Sequence, residues 1–258
     1  MVVDFSVTDG VAEIVLNDPG KLNALDEQAL ADLGAGFERA EAANVGAVIL
    51  RGEGRAFCAG RDISSVTPAT DDAVDYLGRV VTPLLRQIDD FPAPTFAIAT
   101  GACLGVGLGL LIACDVVYVA DTAKIGSPFA NLGATLDSGG HALFFERLGA
   151  HRTLDLIYTA ELMSGTEAVQ LGLFSRAVPQ ADVLEFTRER ARRVAKGATG
   201  AFLASKKLVH QLRDERIGLW ESLAAENIAQ GELCSSDDYA EGFAAFQEKR
   251  RPVFGGAR

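Results

Sequence analysis

Between residues 95 and 114 the chain carries no charged side chain, and that stretch is long enough to cross a bilayer if it were one helix. Its glycines argue otherwise. Gly101, Gly105, Gly107 and Gly109 fall inside it, Pro92 and Pro94 precede it, and no second span follows. Glycine at that density is costly in a helix and proline stops one. The run therefore divides into a buried strand over 95–100, a glycine turn, and a buried helix beginning near Val106. A strand and a helix that are apolar on every face need layers packed on both sides.

The neighbouring segments fit that frame. Val11–Leu16 and residues 45–50 are short, β-branched and apolar, and between them Leu30, Leu33 and Phe37 recur at helical spacing behind Asp26, a candidate N-cap. Val116–Ala120 supplies a further strand, so the first half of the chain alternates strand and helix and predicts an α/β fold with a mostly parallel sheet. From about Asp182 the pattern turns helical, over Val183–Ala195, 201–212, 215–232 and 239–249. Leu219, Trp220, Leu223 and Ile228 make an apolar stripe too broad for a lone surface helix, which predicts packing on a neighbouring subunit. Residues 64–75 are polar and rich in Thr and Asp, and are expected to form a mobile loop.

With 258 residues, 48% of them hydrophobic, the chain can bury one main core. A net charge of -11 with scattered Lys and Arg excludes a general nucleic-acid surface. Any anionic ligand must be held by a few local cations and by backbone amides. Cys58, Cys103, Cys114 and Cys234 show no paired metal spacing, and His141, His151 and His210 are not arranged at i,i+4, so no metal site is expected. The sequence opens on a strand-like segment without a basic leader, and a cytoplasmic location with reduced thiols is expected.

Two segments are built to aim main-chain N–H groups at one small anion: Phe57-Cys58-Ala59-Gly60-Arg61-Asp62-Ile63 and Gly101-Ala102-Cys103-Leu104-Gly105-Val106-Gly107. A strand that ends in glycine and turns into a helix presents free donors where the helix dipole favours negative charge, and a pair of such donors is an oxyanion hole. The second segment is also open to a dinucleotide-loop reading, but its spacing is not G-x-G-x-x-G.

In this order and separation the two segments resemble the enoyl-CoA hydratase/isomerase (crotonase) superfamily. Supporting matches run along the chain: Asn17-Asp18-Pro19 with Leu22-Asn23-Ala24-Leu25, Cys114-Asp115, Leu132-Gly133, Gly139-Gly140, Ser164-Gly165 with Ala168 and Gly172-Leu173, and Phe246-Gln247-Glu248-Lys249-Arg250. The resemblance implies a crotonase-like fold of repeated ββα units over residues 1–195, a helical C-terminal trimerisation region over 196–258, a homotrimer or dimer of trimers, and a coenzyme A thioester as substrate with no separate cofactor. It places the oxyanion donors at the N–H groups of Arg61 and Val106, following Gly60 and Gly105. It passes coenzyme A along Lys21, Leu22, Ala59, Asp62 and Ile63, and extends Lys249 toward nucleotide phosphates of a neighbouring subunit. A solvated helix end is the alternative for Lys249.

Hydratases of this family use two glutamates, and the corresponding positions here are Gly109 and Phe129. Asp137 stands where dienoyl-CoA isomerases and aromatic-CoA dehalogenases of the family carry an aspartate, and the pattern is most similar to 2-(1,2-epoxyphenyl)acetyl-CoA isomerases. The expectation is an isomerase in which Asp137 moves a proton through an enolate held by the two amides, its pKa raised by Phe129, Leu132 and Phe144. Alternatives stay open. Asp137 could only cap the helix that begins at 138–141, His141 could orient it or be a satisfied buried histidine, and Cys58 is core filler before it is a nucleophile. The chain could instead be a hydratase borrowing Asp62 or Glu146 as its acid, a non-catalytic acyl-CoA binder, or an oligomeric scaffold.

Overall fold

The computed structural model describes residues 3–64, 66–67 and 69–255. Six strands, β1 (Val3–Thr8), β2 (Val11–Leu16), β3 (Ala47–Gly52), β4 (Thr95–Ala99), β6 (Val116–Ala120) and β9 (Arg176–Val178), form one sheet in the order β1-β2-β3-β4-β6-β9. Within this sheet, β1 and β2 pair antiparallel and every later pair is parallel. A second sheet of three strands, β5 (Ala102–Leu104), β7 (Lys124–Gly126) and β8 (Met163–Ser164), stands beside it. The parallel sheet, the covering helices and the ββα repetition are as expected.

Local sequence accounts for most boundaries. Asp26 caps α1 (Glu27–Ala42) by accepting from the Ala29 N–H at 2.8 Å, and Leu30, Leu33 and Phe37 face the core. Strand β3 starts two residues later than its apolar run because Gly46 is pressed against the Ala195 backbone and donates to the Gly10 carbonyl. Strand β4 ends at Ala99 because the Thr100 carbonyl turns out of the ladder to accept from Phe57 N–H at 2.6 Å. The uncharged run splits as read into β4 and the buried α4 (Val106–Ala113), but its glycine turn also contains β5, and no helix among the described residues is long and apolar enough to cross a membrane. Three residues are too short for periodicity to reveal.

Residues 73–75, the end of the expected loop, form a one-turn helix, α2 (Ala73–Asp75), which runs into a π-helical segment, Tyr76–Val81, and then α3 (Thr82–Asp89). Beyond the sheet come α5 (Gly140–Thr159), α6 (Gly165–Gln170), α7 (Val183–Ala195), α8 (Thr199–Asp214), α9 (Leu219–Leu233) and α10 (Asp237–Gln247). Helix α9 starts at Leu219 rather than 215, where the Gly218 N–H donates to the Glu221 carboxylate, and α10 starts at Asp237 because Ser236 caps it. The Cys114-Asp115 match has a structural reason. Asp115 accepts from Thr95 through its N–H at 2.8 Å and its hydroxyl at 3.0 Å, and Lys206 of α8 lies 3.1 Å from it, tying the helical region to the sheet.

Candidate active site

The site is assembled from two loops that exchange main-chain hydrogen bonds. Cys58 N–H donates to Ala102 O and Leu104 N–H to Cys58 O, both at 3.0 Å, so residues 58–60 run beside β5 in parallel. Gly60 and Gly105 consequently face each other: a Cβ built on either would lie 3.8 Å from the other's Cα. The next residues are Arg61 and Val106. Val106 opens α4, where the first amides have no intrahelical acceptor, and neither its N–H nor that of Arg61 meets a backbone acceptor among the described residues. Two free donors thus emerge side by side, one of them on the positive end of a helix.

Gly105 cannot be exchanged lightly. Its φ of 53° with ψ of -122° lies where side chains are strained, and a Cβ would meet Phe129 Cζ at 2.9 Å. The Phe129 ring therefore covers the turn, while the Ser127 hydroxyl accepts from Gly105 N–H at 3.1 Å and fixes its orientation.

The expected coenzyme A contacts gather at the outer edge of the first loop. Ala59 N–H donates to Leu22 O at 3.0 Å, Leu25 N–H to Gly60 O at 2.8 Å, and Asp62 N–H to Leu25 O at 2.8 Å. Asn23, fully buried at φ 56°, donates its side-chain amide to the Glu53 and Ala56 carbonyls and accepts from Asp18 N–H. This stitching places Lys21, Leu22, Ala59, Asp62 and Ile63 together. Ile63 is 55% exposed, an apolar side chain held out in solvent just after the donor loop. Lys21 Nζ lies 2.8 Å from Asp62, whose carboxyl is held below the usual range first by that bond and then by Ser64. Lys249 lies exposed just after α10, far along the chain from this cluster.

Asp137 sits half-buried on the loop that leads into α5. It does not cap that helix: the N-cap is Gly139, in the left-handed region at φ 89°, and the Asp137 carboxylate accepts instead from the Ser138 hydroxyl at 2.8 Å. Burial pushes its pKa up, and Ser138, Arg61 and His141 pull it back in that order. His141 is exposed rather than a satisfied buried histidine, and Phe144 is buried in the core rather than lining the site, because its helical position faces inward under α4. Leu132 is 63% exposed.

The loop around Asp137 fills the space beside Gly109, where the resemblance would put a hydratase glutamate. A Cβ on Gly109 would lie 2.6 Å from Ser138 Cβ and 2.9 Å from the Ser138 carbonyl. Asp62 is committed to Lys21 and to Ser64 N–H, and Glu146 to Arg216 at 2.9 Å, so neither candidate substitute acid is free. Cys58 is fully buried, its thiol pushed up to about 12 by desolvation, which makes it filler and not a nucleophile.

Three features escaped the sequence. Arg61 also holds Asp71 with two guanidinium hydrogen bonds, at 3.0 and 2.8 Å, and lies 3.9 Å over the Tyr76 ring, clamping both residues to the donor loop. Tyr76 lies under the Arg61 guanidinium, and the Ser138 hydroxyl donates to the Asp137 carboxylate. No sequence signal marks any of these, since each depends on how separate segments meet. Asp89, Asp90 and His210 also present ligand atoms within 4.8 Å of one another, but Arg213 already grips Asp89 through two hydrogen bonds.

Residues 6–257 match the family model described as Enoyl-CoA hydratase/isomerase. The chain belongs to the enoyl-CoA hydratase/isomerase family. It is 35% identical over 254 residues to a protein of Rhodobacter capsulatus described as a probable enoyl-CoA hydratase, covering 98% of both chains. It is 33% identical over 210 residues to the enoyl-CoA isomerase/hydratase fer4 of Mycosarcoma maydis, covering 81% of this chain and 76% of that one. The crystal structure of an enoyl-CoA hydratase from Bacillus anthracis superposes with a TM-score of 0.89 at 28% identity, over 98% of this chain and 99% of the other. Members of the enoyl-CoA hydratase/isomerase family act on acyl-CoA thioesters, and the crotonase-like fold expected from the motifs is the fold observed.

Proposed function

We propose that this member of the family is an acyl-CoA isomerase that moves a proton on an unsaturated or ring-derived thioester, with Asp137 as the single acid/base. One observation carries the reading: Asp137 is a half-buried carboxylate with raised pKa whose charged neighbours are Arg61, the residue that supplies one of the two donor amides, and His141, and the loop it stands on packs Ser138 against Gly109. The amides of Arg61 and Val106 would hold the thioester oxygen, on which enolate charge develops as the α-proton leaves. Asp137 would accept that proton and return it further along the chain. Lys21, Leu22, Ala59, Asp62 and Ile63 would carry the coenzyme A, with Lys249 reaching a neighbouring subunit. The similarity to 2-(1,2-epoxyphenyl)acetyl-CoA isomerases belongs to this proposal.

A second reading, water addition, is favoured by the names of relatives, several of which are called enoyl-CoA hydratases. The two separate in one assay. With purified protein, a 3-enoyl-CoA should gain the absorbance of the conjugated thioester while a trans-2-enoyl-CoA loses none. Loss of the 2-enoyl signal with solvent oxygen in the product would replace isomerisation by hydration. Exposed Leu219, Trp220, Ile228, Phe243 and Phe246 on α9 and α10 support association into a trimer or dimer of trimers.

A further inference from the structure

Tyr76 is 5% exposed, and its hydroxyl, wholly buried, meets no hydrogen-bond partner among the described residues. A buried phenol without an acceptor forfeits the hydration it had in the unfolded chain, so such a group calls for an explanation. Its ring is pinned under the Arg61 guanidinium, whose own backbone N–H is one of the two site donors, and its segment is tied to the donor loop by Arg61–Asp71. It is also the first residue of a π-helical segment, an irregularity that recurs at functional sites. Leu77 and Val81 of this segment line one cavity with Gly109, Ser138 and Gly139, so the segment that starts at Tyr76 faces the loop that carries Asp137. The groups whose charges act on the phenol are Arg61, Asp137, Cys58 and Glu27, and those acting on the Asp137 carboxylate are Arg61 and His141.

Asp137 offers the complementary acceptor. Among the described residues the Ser138 hydroxyl on Oδ1 is the one hydrogen bond to its carboxylate, leaving Oδ2 without a donor. An isomerase that returns a proton to a second carbon needs that carboxylate held in one orientation through the transfer.

We propose that Tyr76 is a positioning residue for Asp137, its hydroxyl donating to the carboxylate when an acyl-CoA fills the site and fixing which oxygen faces the substrate carbon. The proposal rests on Asp137 being the acid/base. Tyr76 does not touch the reacting atoms; it acts through the carboxylate.

Tyr76→Phe removes the hydroxyl alone. In protein carrying carboxyl-13C aspartate, with the Asp137 signal assigned by its loss in Asp137→Asn, the carboxylate is titrated with butyryl-CoA bound. Losing a donor to the ionised form raises a carboxyl pKa, so the variant should titrate higher than wild type by on the order of half a unit or more. The rate of α-proton exchange of butyryl-CoA with deuterated solvent should fall between about 10- and 100-fold with KM little changed, and its acid limb should move to higher pH. The melting temperature should hold or rise, since an unpartnered buried hydroxyl is gone; a structural role would lower it. An unchanged Asp137 titration overturns the proposal whatever the rates do. Full exchange activity in Asp137→Asn overturns the acid/base reading instead, and the titration still reports whether Tyr76 reaches the carboxylate. In the double variant, exchange no lower than in Asp137→Asn supports action through Asp137, and a further loss overturns it.

Discussion

Asp137 carries the chemical argument at the scale of single residues, and its environment sets testable signs. Asp137→Asn should reduce isomerisation by about 10²–10⁴-fold while acyl-CoA still raises the melting temperature, because the backbone donors are untouched. Since burial raises its folded pKa, activity that needs the ionised carboxylate should be lost as pH falls through that raised value, above the usual carboxylate range. The stability sign is the reverse of the usual acidic case. Between the ordinary value of 3.8 and the raised one, the native state binds more protons than the unfolded chain, so this residue's contribution declines as pH rises through that window. The site is half-buried and solvent moderates the effect; Asp137→Asn, measured by denaturant titration across that range, should flatten it. Thiol chemistry gives an independent check. Cys58, Cys103 and Cys114 are buried with raised pKa values while Cys234 is exposed, so iodoacetamide at mildly alkaline pH should label Cys234 alone and leave activity intact.

Among the elements, the two glycine turns and the loop before α5 are coupled by contact rather than by sequence proximity. Gly105→Ala should strain the turn by about 1–3 kcal/mol and displace Phe129, misaiming the Val106 N–H. Losing one oxyanion donor costs about 10²–10³-fold in kcat, so a correctly folded variant, checked by circular dichroism, should show a loss of that order. Gly109→Glu tests whether the space beside Gly109 can take an acid. Its Cβ meets Ser138 at 2.6 Å, so the substitution should destabilise by about 1–3 kcal/mol in thermal unfolding and bring no hydration of a 2-enoyl-CoA. Much of this level was legible. Asp26 as a cap, β2, α1, β4 and the buried α4 follow from periodicity and punctuation; β5 did not, because its three residues are defined by pairing with β7 and by the Cys58 bridge.

For the molecule as a whole, the apolar side chains displayed by α9 and α10 are the feature a single chain cannot resolve. Leu219, Trp220, Ile228, Phe243 and Phe246 are between 54% and 84% exposed, far more apolar surface than two helices would keep in water. Trp220→Glu combined with Phe246→Glu should shift the protein to smaller species in sedimentation velocity, with acyl-CoA affinity falling as well if Lys249 serves a neighbouring site. A variant that stays assembled would place the contacts elsewhere.

The sequence by itself determined the alternation that builds the parallel sheet, the two donor loops and the lack of glutamates at Gly109 and Phe129, because these depend on residue type, short-range periodicity and the conformations glycine permits. Only the tertiary structure decided that Asp137 leaves the helix cap to Gly139, that Phe144 turns into the core and His141 out of it, and that Ser138 fills the Gly109 space. It alone brought the Arg61 guanidinium over the Tyr76 ring. Those outcomes are contacts between segments distant along the chain, and their sign is set by close packing, which leaves each side chain one place to go.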